Sequence, residues 1–561
     1  MQEKINKKND KVPYIFLITL VAINLFLFSS VSPLHSLMNM QYNEWLYYLI
    51  GKGMVNGLVP YKDLIDHKGP YLFYFFGMAN IINYKHIGLY ILALLFYSLI
   101  AIFSYKISYL ILSKSDKSLS NPINKILSIF TAFIIFVMCS SYYMSFGTIS
   151  AEVFTLPYMF MSYYLFLKFL YYNGGFKNQP NSLSSELKYA SVYGICAGIS
   201  FFIKANAILA YVPIAICLLF YFIRKKQFKN LFLNFIVGLA SFTIALLPAI
   251  IYSIMTNSLY EMIDGAFTIN ILYTGTGMPS SSSVYESLIE TIKEFKEFTI
   301  LCIFSIFTFN YFLTEIKKTG AEKSVKFRLK SQKLVERSNN SSLEIITFYI
   351  LSLVINLYSV YMSCRPYTNY LVYLLVYFIP LFLFFSVSFT KYIFIGDNTT
   401  KPFVKQKNTL MLSIFLVSLL LINILSYSIT YELSYTNGVV QGNLSSRVLK
   451  LYNNSDYKKT NPNILVVGYA PYLYEAFDTL PNEKYFATSV VSRKKYSKPY
   501  DAIIDRIKKA DEDLVIVAFG RSMTKDKNFQ DEVYAALNQS YINIGSTKTL
   551  GQTAEVYALS K

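Results

Sequence analysis

Between Tyr42 and Phe75 the chain reads "YNEWLYYLIGKGMVNGLVPYKDLIDHKGPYLFYF", which sets Glu44, Asp63, Asp66, His67 and Lys68 among aromatic and apolar neighbours. A carboxylate can take the proton of a hydroxyl, and an ammonium can stabilise a departing anion. The densest part, "PYKDLIDHKGP", runs from Pro60 to Pro70 and is followed by "YLFYFFGMANII", which would hold the loop against lipid. Charge at a membrane boundary is costly unless partners or ligands satisfy it, so this density weighs for function over a solvated surface loop. Glu44 has two readings. As the start of an interfacial helix it gains about 0.3–1 kcal/mol from the helix dipole; as a catalytic base it faces a lipid-borne substrate. Position alone does not separate the two.

The elements that position these residues are those of a membrane protein. Of 561 residues, 54% are hydrophobic and only 15% charged, with a mean hydropathy of +0.38, which excludes an ordinary soluble domain. The net charge of +19 is spread over short loops between apolar runs, so it sets topology and does not mark a nucleic-acid-binding surface. Cys139, Cys196, Cys217, Cys302 and Cys364 show no CxxC spacing, and no metal site or disulfide framework is expected. Runs long enough to cross about 30 Å of hydrocarbon number about eleven. They centre on 13–31, 86–112, 126–143, 153–172, 189–203, 206–223, 231–252, 299–316, 344–362, 370–390 and 409–429. The first resembles a signal peptide but has no small-residue cleavage site, and is read as an uncleaved helix.

Lys- and Arg-rich segments such as "KINKKNDK", "RKKQFK" and "KKTGAEKSVKFRLKSQKLVER" alternate with poorer loops, which predicts a cytoplasmic N-terminus. The outer face then carries the first loop (32–85), the turns "SFGTISAE", "FIKAN" and "CRPYTNY", the loop 253–298 and the C-terminus. The expected division is a transmembrane part, 1–430, and an extracytoplasmic α/β domain, 431–561. In the latter, strand-like "NILVVGYA", "DLVIVAF" and "YINIGS" alternate with helix-like "PYLYEAF", "YDAIIDRIKKA" and "NFQDEVYAAL". Its single Gly turn is no dinucleotide fingerprint. Trp45 reads as an interface anchor, and His35 and His86 as satisfied surface or interfacial residues.

The first loop resembles that of GT-C type glycosyltransferases, the group of bacterial lipid A aminoarabinose transferases and protein O-mannosyltransferases. Their pattern is an Asp-Glu pair after the first helix, then a Gly-containing helix end, then a basic residue before a Pro. "GTISAEVFTLPYMF" resembles the family's second outer turn, with its acidic residue at Glu152. "GISFFIKANAIL" resembles the following Lys turn, at Lys204, and "RPYTNYLVYLL" the later His-Tyr segment, with Asn369 in place of His. The resemblance implies an inverting, polyprenyl-phosphate-sugar-dependent transferase of GT-C fold. Its catalytic Asp would fall on Asn43, which is no base, so the role would pass to Glu44 or Asp66. The base candidate is Glu44, and the resemblance further implies Glu152 as a catalytic acidic residue, Lys68, Lys204 and Arg365 as phosphate clamps, and Asn43, Asp63, His67 and Tyr367 as substrate contacts. The donor would be a polyprenyl-phosphate-linked sugar, the acceptor a cell-envelope polymer, lipid or protein, and no cofactor is called for, a divalent metal being left open. The competing readings are a lipid-linked sugar transporter or flippase, which would place charge near the bilayer midplane, and a polysaccharide polymerase or ligase.

Overall fold

The computed structural model describes residues 11–82, 86–115, 120–145, 149–172, 183–274, 283–326, 333–362, 364–394, 429, 431–486, 491–519, 526–549 and 552–560. Among these, eight helices are long and apolar enough to cross a membrane: Ile87–Ser115, Asn121–Ser140, Ala151–Tyr171, Ala205–Arg224, Phe228–Met255, Lys296–Glu315, Leu343–Tyr361 and Thr368–Lys391. The expected run 13–31 is a shorter helix, Val12–Phe28. The run 189–203 belongs to the 21-residue helix Leu183–Ile203, which carries Glu186 and Lys188 in its first two turns. The expected span 409–429 lies outside the described residues, apart from its last position.

Lipid-facing and protein-facing sides separate within single helices. Phe228–Met255 exposes Phe232, Phe235, Leu239, Ile244 and Ile251 and buries Ser241, Ala245, Ala249 and Ser253. The small side packs on Leu183–Ile203, where Gly194 lies so close to the Gly238 carbonyl that a Cβ would overlap it. Close backbone approach through small residues is how helices associate where lipid supplies no hydrophobic drive.

The loop 32–85 is structured throughout its described residues. It holds the helix Tyr42–Val55, the tight segment 56–69 and the helix Pro70–Ile82, whose 13 residues are too short to cross the bilayer. Tyr42–Val55 is buried along most of its length. Trp45, expected as an interface anchor, is instead 0% exposed, and its Nε1 donates to Gln441 Oε1 at 3.0 Å. Buried indole needs an acceptor, and a polar helix over 431–453 brings one. His35 is satisfied as expected, its Nδ1 lying 2.8 Å from the Ser29 carbonyl; the His86 side chain lies outside the described residues.

Past that helix stands a four-stranded sheet of order β1-β2-β4-β3, with β1 Ile464–Gly468, β2 Leu514–Ala518, β3 Tyr541–Thr549 and β4 Gln552–Leu559. β1 and β2 are parallel, and the rest antiparallel. Alternation decides the faces. Leu465, Val467, Val515 and Val517 pack under the helices Lys498–Lys509 and Lys527–Ser540, while Ile464, Val466, Leu514 and Ile516 join the main core. The sheet is therefore seated on the membrane part. Gln441 Nε2 and Asn437 Nδ2 both donate to the Met40 carbonyl at 3.1 Å, and the Ile65 N–H donates to the Lys484 carbonyl at 3.0 Å.

Candidate active site

The segment 60–69 is shaped by a few local contacts. Tyr61 takes a left-handed φ of 67°, its N–H donates to the Leu64 carbonyl at 2.7 Å, and its ring turns into the core. A non-glycine residue holds such a backbone only where its surroundings over-determine it. Here the Tyr61 hydroxyl donates to the Lys68 carbonyl at 2.6 Å and ties the two ends of the segment together. Asn270 fixes the middle by donating to the His67 carbonyl. Gly69 closes it: its N–H donates to the Ile203 carbonyl at 3.0 Å, and a Cβ there would lie on the Phe202 carbonyl. "HKGP" needs its glycine because the segment is pressed against the end of the helix Leu183–Ile203, one residue from Lys204.

Three side chains in a row then form a chain of contacts. Asp66 Oδ1 lies 2.8 Å from His67 Nδ1, and His67 Nε2 lies 2.5 Å from Lys68 Nζ. Burial works to raise the Asp66 carboxyl, but His67 and Lys68 outweigh it and hold it at about 2. Burial and then Lys68 push the His67 imidazole below its usual value, against the pull of Asp66. Asp66 Oδ2 is buried without a hydrogen-bond partner among the described residues.

Opposite stands Lys204, at the break between Leu183–Ile203 and the 3₁₀ turn Ala205–Tyr211. Its Nζ pairs with Glu152, in the first turn of Ala151–Tyr172, and lies 4.0 Å from the Tyr370 ring centroid. Burial lowers the Lys204 ammonium below the ordinary lysine range while Glu152 resists. Arg365 sits at a similar break before the 3₁₀ turn Thr368–Leu374, with its guanidinium 4.0 Å from the Tyr273 ring centroid. Tyr273 in turn lies 5.6 Å from the His67 ring. Lys68 acts electrostatically on Glu152, and Lys204 on His67. Four separate segments thus bring Asp66, His67, Lys68, Glu152, Lys204 and Arg365 to one place at one end of the helices.

Other expected site residues take different positions. Glu44 is not a solvated helix-start residue: it is 2% exposed, and its Oε2 accepts from the Gln41 N–H at 2.9 Å. Burial raises its pKa well above the usual range, with backbone hydrogen bonds from Gln41 and Ile149 working against that rise. It caps a helix and ties down the residues ahead of Glu152. Asp63 turns away to accept from the Val59 N–H at 2.7 Å, closing its own turn. Asn43 is exposed on the first turn of Tyr42–Val55, whereas Tyr367, 42% exposed, stands at the rim of the cluster and shares a hydrogen bond with Tyr273. Asn369 is buried in the turn after Arg365.

Sequence reasoning passed over Tyr273, Asn270, Tyr370 and Tyr47, the last a buried tyrosine near enough to sense Asp66, Glu152 and Glu44. Tyr370 was within reach, since "RPYTNY" repeats a tyrosine at helical spacing beside a cation. Tyr273 and Asn270 lie in the loop 253–298, where nothing in the sequence marks them. Among the described residues no group of three His, Cys, Asp or Glu side chains is arranged to hold a metal ion.

No protein-family model and no characterised protein sequence matches the chain. Among solved structures it is similar to ArnT from Cupriavidus metallidurans bound to undecaprenyl phosphate, at 10% identity over 97% of each chain and a TM-score of 0.46. It is similar to the same protein in the apo state, at 10% identity over 98% of each chain and a TM-score of 0.43. A third similar structure is the archaeal oligosaccharyltransferase AglB from Archaeoglobus fulgidus in complex with an inhibitory peptide and a dolichol-phosphate. There the identity is 12%, over 98% of this chain and 74% of that one, with a TM-score of 0.44. At such identities the chemistry of the site rests on this chain's own residues.

Proposed function

We propose that the protein is a membrane glycosyltransferase that moves a sugar from a polyprenyl-phosphate donor to a hydroxyl of a cell-envelope acceptor, at the outer face. The observation that carries this reading is the meeting of Lys68, Lys204 and Arg365, from three separate turns, beside the Asp66–His67 pair. Transfer from a phosphate-linked sugar leaves negative charge on the departing phosphate, and cations fixed in a water-poor place stabilise that charge more than they would in water. A proton acceptor within the same cluster serves the attacking hydroxyl. The acid-base role falls to the Asp66–His67 pair and not to Glu44, whose carboxylate already accepts backbone N–H groups.

The outer-face assignment follows from charge. The cluster lies at the start of Ala151–Tyr172 and the end of Leu183–Ile203, whereas "RKKQFK" at 224–229 lies at the other end of the following helix. Positive loops stay in the cytoplasm, so the cluster and the sheet domain face out. A transporter reading is disfavoured by the same placement, since the charges gather at helix ends and not at the midplane. The test is to mix purified protein with a panel of polyprenyl-phosphate sugars and an envelope extract. Appearance of labelled sugar in the extract, lost in Lys204→Ala, supports the reading, and no transfer from any donor refutes it.

A further inference from the structure

We infer that the imidazole of His67, oriented by Asp66, is the group that removes the acceptor proton, and that Lys68 occupies its basic nitrogen until an anionic donor draws the ammonium away. This rests on the glycosyltransferase reading of the same site.

The tautomer follows from the partners. A carboxylate only accepts hydrogen bonds, so the nitrogen 2.8 Å from Asp66 Oδ1 carries the proton, on Nδ1. An ammonium only donates, so the nitrogen 2.5 Å from Lys68 Nζ presents its lone pair, on Nε2. The ring is therefore neutral, anchored on one nitrogen and basic on the other, which is the arrangement a hydroxyl-activating base needs. Its backbone is fixed by Asn270 and its ring is flanked by Tyr273. At 13% side-chain exposure it is enclosed but still reachable.

The other acids in the cluster are worse placed. Glu152 is tied to Lys204, Glu44 to backbone N–H groups, and Asp66 is a carboxylate already engaged by the His67 N–H and too weakly basic to take a proton. The groups facing His67 are Asp66 and Lys68 on its own segment, Lys204 and its partner Glu152, Tyr273 with the stacked Arg365, and Tyr370 beside Lys204. Three of these are cations that discourage an imidazolium. An anionic donor phosphate would offset them and pull Lys68 from Nε2, so donor binding itself uncovers and strengthens the base.

The step balances without a further reactant. The acceptor O–H proton passes to Nε2, and the acceptor oxygen bonds to the anomeric carbon. The bond from that carbon to the phosphate oxygen breaks, and its electron pair leaves on polyprenyl phosphate, beside Lys68, Lys204 and Arg365. The imidazolium then returns its proton to water.

The test uses the full-length protein in detergent, a polyprenyl-phosphate hexose and an envelope extract as acceptor. His67→Ala is expected to lower kcat by about 10²–10⁴-fold, the range for a general base, with donor binding retained and turnover partly restored by added imidazole. His67→Asn, which keeps an amide N–H toward Asp66, controls for folding and should stay slow. The acid limb of the kcat profile should vanish in His67→Ala and move to lower pH in Asp66→Asn, because Asp66 raises the imidazole pKa. Wild-type turnover in His67→Ala, or a loss that imidazole does not rescue with the acid limb unchanged, overturns the proton role and leaves the transferase reading standing. A wild-type protein that releases no polyprenyl phosphate from any donor overturns both.

Discussion

The Lys52 ammonium lies 2.8 Å from the Glu475 carboxylate, with the two side chains only 10% and 9% exposed, and so joins the loop 32–85 to the sheet region through a buried ion pair. Removing one partner of such a pair leaves the other charge buried and unpaired, at a cost of about 3–5 kcal/mol. Lys52→Met should lower the thermal unfolding midpoint sharply, and adding Glu475→Leu should restore most of it. If the double variant is no more stable than the single one, the pair is not what holds the domain on the loop.

Glu44 is expected to act on stability and not on turnover. Glu44→Ala leaves backbone N–H groups of Gln41 and Ile149 without their acceptor, which costs about 1–3 kcal/mol. Glu44→Gln keeps an acceptor oxygen and should transfer sugar nearly as wild type does. A well-folded Glu44→Gln protein with a hundredfold loss of kcat would return the base role to Glu44.

Each cation in the cluster should contribute to donor affinity. Charge-assisted hydrogen bonds are worth about 1.5–3 kcal/mol, so Arg365→Ala or Lys68→Met should weaken binding of a polyprenyl phosphate by about 10–150-fold. Lys204→Ala also strands Glu152, and Glu152→Gln in the same chain should recover stability but not affinity. Unchanged donor Kd in all three single variants would remove the phosphate clamp.

The Asp66–His67 pair gives folding a pH dependence of definite sign. Both groups have folded pKa values below their ordinary ones of 3.8 and 6.5, so the folded state binds fewer protons than the unfolded chain in those intervals. Their stabilisation is present above the ordinary values and is lost as the pH falls through the folded ones. The unfolding midpoint should therefore drop on acidification below about 6.5, and His67→Asn should flatten that drop; the Asp66 part persists until far more acid pH. A midpoint that rises on mild acidification would contradict the buried neutral imidazole.

Orientation is tested by labelling. Asn454→Cys and Lys226→Cys both place a thiol on exposed positions. An impermeant maleimide should modify the first in intact cells and the second only after permeabilisation. The opposite pattern would put the cluster in the cytoplasm.

What was legible in the sequence was what local pattern encodes. The short apolar runs opening at Ile464 and Leu514, buried on both faces, and the run opening at Tyr541 are strands. β4 escaped notice because "QTAEVYAL" opens on polar residues that pair at the antiparallel edge with β3. "DHKGP" announced itself by charge density, and the order of the outer turns pointed to Glu152, Lys204 and Arg365. Trp45 was misjudged, and the burial of Glu44 went unseen, because their partners Gln441 and Ile149 lie far along the chain and no periodicity of Tyr42–Val55 reveals a helix covered on its outer side. The tyrosines at 273 and 370 matter through contacts with cations on other elements, which only the fold brings together.

The most direct test of the central claim is to reconstitute the protein in proteoliposomes with a labelled polyprenyl-phosphate sugar and an envelope acceptor, and to follow polyprenyl phosphate release alongside movement of intact donor between leaflets. Release is expected to depend on acceptor and to be lost in Lys204→Ala and His67→Ala. Translocation of intact donor with no release of polyprenyl phosphate would contradict it and identify a flippase.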